Sequence, residues 1–112
     1  MNFVNLTPHA LVIYRSQEDG DPITVTPSGT VARIATRALE TELVGDGIPV
    51  TSTALIGIQG LPEPQPDVMY ITSGMVVEHL GAWGPQRMDV VAPGELRRDA
   101  DGRPVGCLGL RR

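Results

Sequence analysis

Arg37-Ala38-Leu39-Glu40-Thr41-Glu42-Leu43-Val44, then Gly45-Asp46-Gly47, then Ile48-Pro49-Val50-Thr51-Ser52-Thr53-Ala54-Leu55-Ile56-Gly57-Ile58 is the stretch that decides the fold class. Its second half alternates. Ile48, Val50, Ser52, Ala54, Ile56 and Ile58 share one face, with Thr51, Thr53 and Gln59 on the other, which predicts a half-buried strand. Gly57 marks a bend or bulge within it. The first half has two readings. Leu39 and Leu43 among good helix formers suit a helix, whereas a period of two puts Leu39, Thr41 and Leu43 opposite Glu40 and Glu42. The turn signal Gly45-Asp46-Gly47 between this segment and a strand favours a hairpin.

Working outward, thirteen glycines and ten prolines cut the 112 residues into short pieces, the pattern of strands and turns. Phe3–Leu6 and Ala10–Tyr14 are short apolar runs on either side of Thr7-Pro8-His9, where proline forces an extended bend. Ile23–Thr26 alternates between turns at Glu18–Pro22 and Pro27–Gly29, and Val31–Ala35 follows. Gly60-Leu61-Pro62-Glu63-Pro64-Gln65-Pro66 is a stiff connector. Val68–Ile71 is a strand, after which Ser73 is placed to cap a short helix from Gly74 to Leu80, stopped by Gly81. Gly84-Pro85 breaks the chain. Asp89–Ala92 is a short strand ended by Pro93-Gly94, and Leu96–Arg98 pairs with Pro104–Leu108 across Asp99-Ala100-Asp101-Gly102. The expectation is one domain, residues 1–112, of α+β class: short, mostly antiparallel strands in a rolled or barrel-like sheet with one short helix.

Composition narrows the function classes. A chain of this length buries roughly two-thirds of its unfolded surface, so it folds without disulfide or metal. The aromatics are Phe3, Tyr14, Tyr70 and Trp83, each a core anchor or part of a surface site. Net charge is −4 and all nine basic residues are arginine, which argues against general nucleic-acid binding. Any anion site must therefore use arginine, hydroxyls or backbone N–H groups. The lone Cys107 fits a reducing compartment and reads as a small buried hydrophobe. The start Met1–Asn5 lacks the pattern of a signal peptide, and no apolar run approaches the ~20 residues of a membrane span. These features predict a cytoplasmic protein that does not enter membranes.

The strand-to-helix junction Thr72-Ser73-Gly74 offers two hydroxyls and a glycine where the first helical N–H groups lack partners, an arrangement that favours an anion. The plainer alternative makes Ser73 only a cap. Asn5, Thr7 and His9 place polar groups on a bend between apolar runs, suited to hydrogen-bonding a ligand or to satisfying nearby backbone. Arg87 and Asp89 precede a buried strand, and Arg33 stands among apolar neighbours; such charges pair with each other or face a ligand. Two histidines without carboxylates or cysteine at ligand spacing make no metal site. Asp99-Ala100-Asp101-Gly102 opens like a calcium loop, but Leu110 stands where the bidentate glutamate belongs. A triad drawn from Ser73, His9 and Asp89 lacks the pattern of a nucleophile elbow.

Several motifs in order carry a resemblance: Asn5-Leu6-Thr7-Pro8-His9, Pro27–Arg33, Gly47-Ile48-Pro49-Val50, Gly60-Leu61-Pro62-Glu63-Pro64, Tyr70-Ile71-Thr72-Ser73, Asp89-Val90-Val91-Ala92-Pro93-Gly94, Arg98-Asp99 and Gly106-Cys107. Together they resemble a family of small phage, prophage and bacterial proteins with no established activity. The resemblance implies a setting, the cytoplasm of a bacterial host, and by analogy of setting a stoichiometric counter-defence role.

The leading expectation is therefore a non-enzymatic binder that sequesters a small anionic, nucleotide-like ligand and uses no cofactor. Thr72, Ser73 and Gly74 would receive a phosphate, Arg33 and Arg87 beside Asp89 would neutralise charge, and Asn5, Thr7 and His9 would bond the remainder. One alternative is a protein-interaction or assembly module, docking a host protein through the proline-rich connector and a sheet edge, or forming a homo-oligomer that covers its edges. Another is a small hydrolase using His9.

Overall fold

A computed structural model describes residues 1–82 and 86–112. Eight strands and one helix follow in the order β1 (Asn2–Asn5), β2 (Leu11–Tyr14), β3 (Ile23–Val25), β4 (Arg33–Val44), β5 (Ile48–Gln59), β6 (Val68–Ile71), α1 (Gly74–Ala82), β7 (Val90–Arg98) and β8 (Pro104–Arg111). Six strands form a rolled sheet in the order β1-β6-β7-β8-β2-β3, and β4 pairs with β5 alone. The strand-rich α+β class with a barrel-like sheet and one short helix is as the sequence predicts. Antiparallel ladders carry most of the paired residues, but β1 with β6, β6 with β7 and β2 with β8 run parallel.

Two apolar clusters lie on the two faces of the rolled sheet, because neighbouring residues of a strand point to opposite sides. Ile71 and Val91 point inward with Ile13 and Cys107, packed by Leu11, Val25, Met69 and Leu110. Tyr70, Val90 and Ala92 point outward and are covered by Val76, Val77 and Leu80 of α1 and by Leu6 and Ala32. The roll is nearly closed. Asn5 at the end of β1 bridges to Pro27 just past β3, and the Ser28 N–H donates to the Asn5 carbonyl at 2.9 Å.

The hairpin is the exception to this packing. Ile34 and Ile58, paired at its base, pack against the outer cluster, and beyond them both strands leave the body. Leu39, Leu43, Ile48, Val50, Leu55 and Ile56 are all exposed, Leu43 to 71 %. The radius of gyration records the projection: 17.4 Å, against about 13 Å for a compact chain of this length. The half-buried strand expected at 48–58 is thus a strand whose outer part has neither face covered. Its bulge lies where Gly57 foretold it, between the pairs Ala35–Gly57 and Thr36–Leu55.

Two further boundaries differ from expectation. β7 does not stop at Pro93-Gly94. It pairs with β6 through Val91, then turns to β8, with Ala92 opposite Arg111 and Pro93 opposite Leu110. Gly94 permits this, since a side chain there would collide with the Leu108 carbonyl. The helix runs through Gly81 to Ala82. The expected break at Gly84-Pro85 and the role left open for Trp83 lie outside the described residues.

Candidate functional site

Asn5 is buried, only 1 % exposed. Its Nδ2 donates to the carbonyls of His9 (2.8 Å) and Val25 (3.0 Å), and its Oδ1 accepts from the Thr7 N–H (2.9 Å) and the Thr7 hydroxyl (2.6 Å). Every polar site of this side chain that can serve backbone is spent on the bend and on β3, at the point where the roll closes. Asn5 and Thr7 are a clasp, and their expected place against a ligand is corrected accordingly: a buried amide must be paired, and here it is paired internally. His9 is exposed on the same bend and contributes its carbonyl.

Thr72 is likewise inside the structure. Its hydroxyl donates within reach of the Val91 carbonyl (3.2 Å) and its N–H donates to the same oxygen (2.8 Å), tying β6 to β7. Ser73 is exposed and caps α1, its hydroxyl accepting from the Val76 N–H at 3.4 Å. Gly74 sits beneath Arg111, whose guanidinium a side chain at 74 would strike and which reaches Glu78 at 3.6 Å. The sequence reading missed Arg111. Its placement follows from the extension of β7 and β8, which sets Arg111 opposite Ala92 and so beside the β6–α1 junction.

Arg87 and Asp89 belong to another place. They form a two-pronged ion pair, Nε–Oδ1 and Nη2–Oδ2 both at 2.9 Å, and Arg87 Nη2 also donates to the Pro62 carbonyl at 2.9 Å. The pair is mostly buried and fastens the proline-rich connector to the start of β7. Arg87 hydrogen-bonding holds the Asp89 carboxyl below the usual range, and the carboxylate in turn raises Arg87. Arg87 lines a hollow with Leu80 and Gly81, at the opposite end of α1 from Ser73. These charges are matched to each other and remote from the helix start, so the expected nine-residue constellation does not converge. With Asp89 held by Arg87, it does not orient His9 as a hydrolase relay requires.

What the structure does bring together is smaller. A shallow groove of about 290 Å³ is lined by Pro8, Val31, Ala32, Arg33, Ser73 and Met75, so the bend, the base of the hairpin and the helix start meet. The bend contributes Pro8 to it, not Thr7 or His9. Among the described residues the Arg33 side chain makes no hydrogen bond or ion pair. No cluster of three metal-ligating side chains occurs among the described residues, and no described helix is long and apolar enough to cross a membrane.

The hairpin is the largest exposed feature, and its chemistry is segregated. The hydroxyls of Thr41 and Thr51 meet at 2.9 Å, which fixes the face of that pair. Following the register through the bulges, Thr36, Ala38, Leu39, Thr41 and Leu43 share this face with Pro49, Thr51, Thr53 and Leu55, and no charge falls on it. Arg37, Glu40 and Glu42 lie on the other face, and all the charged strand residues belong to β4; β5 has none. Comparison with protein-family models, curated proteins and solved structures found no match.

Proposed function

We propose that this chain is a protein-interaction or assembly module whose docking element is the β4–β5 arm. The observation that carries the reading is the arm itself: two twelve-residue strands with one uncharged face and exposed large apolar side chains on both, projecting from a nearly closed body. An isolated two-stranded ribbon is marginal in water, and an exposed apolar patch of this kind on a folded protein marks a docking surface. The remaining sheet supports the reading by contrast, because its ends are joined at Asn5 and Pro27 and offer no comparable edge. The proline-rich connector, expected to take part, is held by Arg87 and Tyr70 and serves the body.

Replacing residues 37–54 by an Asn-Gly turn between the paired residues Thr36 and Leu55 tests this directly. The shortened protein is expected to fold, with unchanged urea stability of the body, and to lose association measured by sedimentation and by cross-linking. Retention of the full chain's association by the shortened protein would overturn the proposal.

A second reading, the sequestering of a small anionic nucleotide-like ligand, is supported by the convergence of Arg33, Ser73 and the Pro8 bend on one groove, with Arg111 over the start of α1. Calorimetry with nucleotides and cyclic nucleotides is expected to show heat that Arg33→Ala abolishes; absence of heat from all of them contradicts it.

A further inference from the structure

The arm has two outer edges, and they are unlike. β4 carries Arg33, Arg37, Glu40 and Glu42, the kind of charged edge that resists pairing with another strand. β5 carries no charge over its whole length, and among the described residues it pairs only with β4. Pro49 interrupts it near the tip and Gly57 near the base. Between them lies Val50-Thr51-Ser52-Thr53-Ala54-Leu55-Ile56, seven residues without charge, proline or glycine and rich in β-branched types. Such a window with free N–H and C=O groups along one side is a template for another strand.

We infer that the occupant of this edge is the β5 edge of a second copy, antiparallel about a two-fold axis at Thr53; the inference rests on the arm being the docking element. The window is centred on Thr53, so this axis sets Thr53 against Thr53, Thr51 against Leu55 and Val50 against Ile56, pairs of β-branched or apolar residues, and the small Ser52 against Ala54, with no like charges opposed. The same-copy partner β4 keeps every charge of the strands on the far side of the seam. A four-stranded sheet results whose outer edges are the two charged β4 strands, so pairing closes at two copies and does not run on into a fibre. The seven-residue window supplies about a quarter to a third of the roughly 20–30 residues per side of a standard interface, which places the dimer in the weak, concentration-dependent class, with dissociation in the micromolar range or weaker.

Charge swapping at the axis tests this. Thr53→Lys and Thr53→Glu each set like charges against themselves and are expected to weaken dimerisation roughly ten-fold or more in sedimentation experiments, with circular dichroism unchanged. Mixed in equal amounts, the two variants are expected to dimerise at least as well as the unsubstituted chain, an outcome that misfolding of either cannot produce. If Thr53→Lys dimerises undiminished, or if the mixture dimerises no better than its components, the inference is overturned. A photo-cross-linker at position 53 separates its failure from failure of the arm reading. A monomeric chain that cross-links to a different protein overturns the second-copy pairing and leaves the arm a docking element. A monomeric chain that cross-links to nothing overturns both.

Discussion

Replacing Asn5 should open the roll, and the loss can be sized from its four hydrogen bonds. In Asn5→Ala the carbonyls of Val25 and His9 lose a donor, and the N–H and hydroxyl of Thr7 lose an acceptor. Each such bond contributes about 0.5–1.5 kcal/mol net. Thr7 and the His9 carbonyl lie near solvent and recover part of the loss from water, whereas the closure at Val25 recovers less. The expected destabilisation is about 3 kcal/mol, which at a urea dependence of about 1.5–2 kcal/mol per molar moves the unfolding midpoint down by roughly 1.5–2 M. Asn5→Asp sharpens the argument. Its shape is retained and Oδ1 still accepts from Thr7, but a carboxylate oxygen now faces two carbonyls at the Nδ2 position. Burial and those carbonyls raise the folded-state pKa of the new carboxyl above its unfolded value of about 3.9. The deficit relative to the unsubstituted chain should therefore be smallest below about pH 4 and grow as pH rises through the raised folded value. Urea titrations of the three proteins at several pH values supply the measurement. An Asn5→Ala change within about 0.5 kcal/mol of the parent, or an Asn5→Asp deficit indifferent to pH, would refute the clasp and return Asn5 to the candidates for ligand contact.

The Arg87–Asp89 pair carries its own pH signature. Because the folded-state pKa of Asp89 is lowered, its stabilisation is complete above the ordinary carboxyl value and is lost as pH falls through the folded value. Asp89→Asn should cost about 2–3 kcal/mol at neutral pH and flatten the acid limb of the stability profile; an equally steep limb in the variant contradicts the assignment. Gly60, with φ of 81°, ends β5 where an added side chain would strike the Val31 carbonyl. Gly60→Ala should lower stability by about 2 kcal/mol or more in urea unfolding, and a neutral result would show that the base of the arm yields.

The sequence made β6 legible to the residue, because Val68–Ile71 is an apolar run between a proline-rich connector and a capping serine, and both of its faces are in fact covered. The hairpin was legible as backbone for the same reason: the Gly45-Asp46-Gly47 turn and the alternation on either side leave few other solutions. Its burial was not. Alternation reports that residues share a face, and only the arrival of another surface decides whether that face is dry; from Val44 to Thr53 every residue stays exposed. The candidate site failed at Asn5, Thr7 and Thr72 through one confusion. Polar side chains in an apolar context suit a ligand or nearby backbone equally by type, and backbone left over at strand ends and bends is the nearer claimant. Asn5 two residues before Thr7 is the spacing of an asparagine-turn, and that signal was available. Arg111 was missed because Pro93-Gly94 reads as a strand end, and only the close approach at Gly94 lets β7 continue far enough to bring β8 past the helix start.

Hydrogen exchange along Ile48–Gln59 tests the central claim, that the arm is a docking element, without any substitution. At about 100 µM protein the amides of Val50–Ile56 should be protected well beyond those of the hairpin turn, and dilution to about 1 µM should bring their exchange toward that of an open ribbon. The amides of β6 and β7, held inside the roll, should not change. Rapid exchange from residues 50–56 at every concentration, with or without lysate proteins present, would contradict the account.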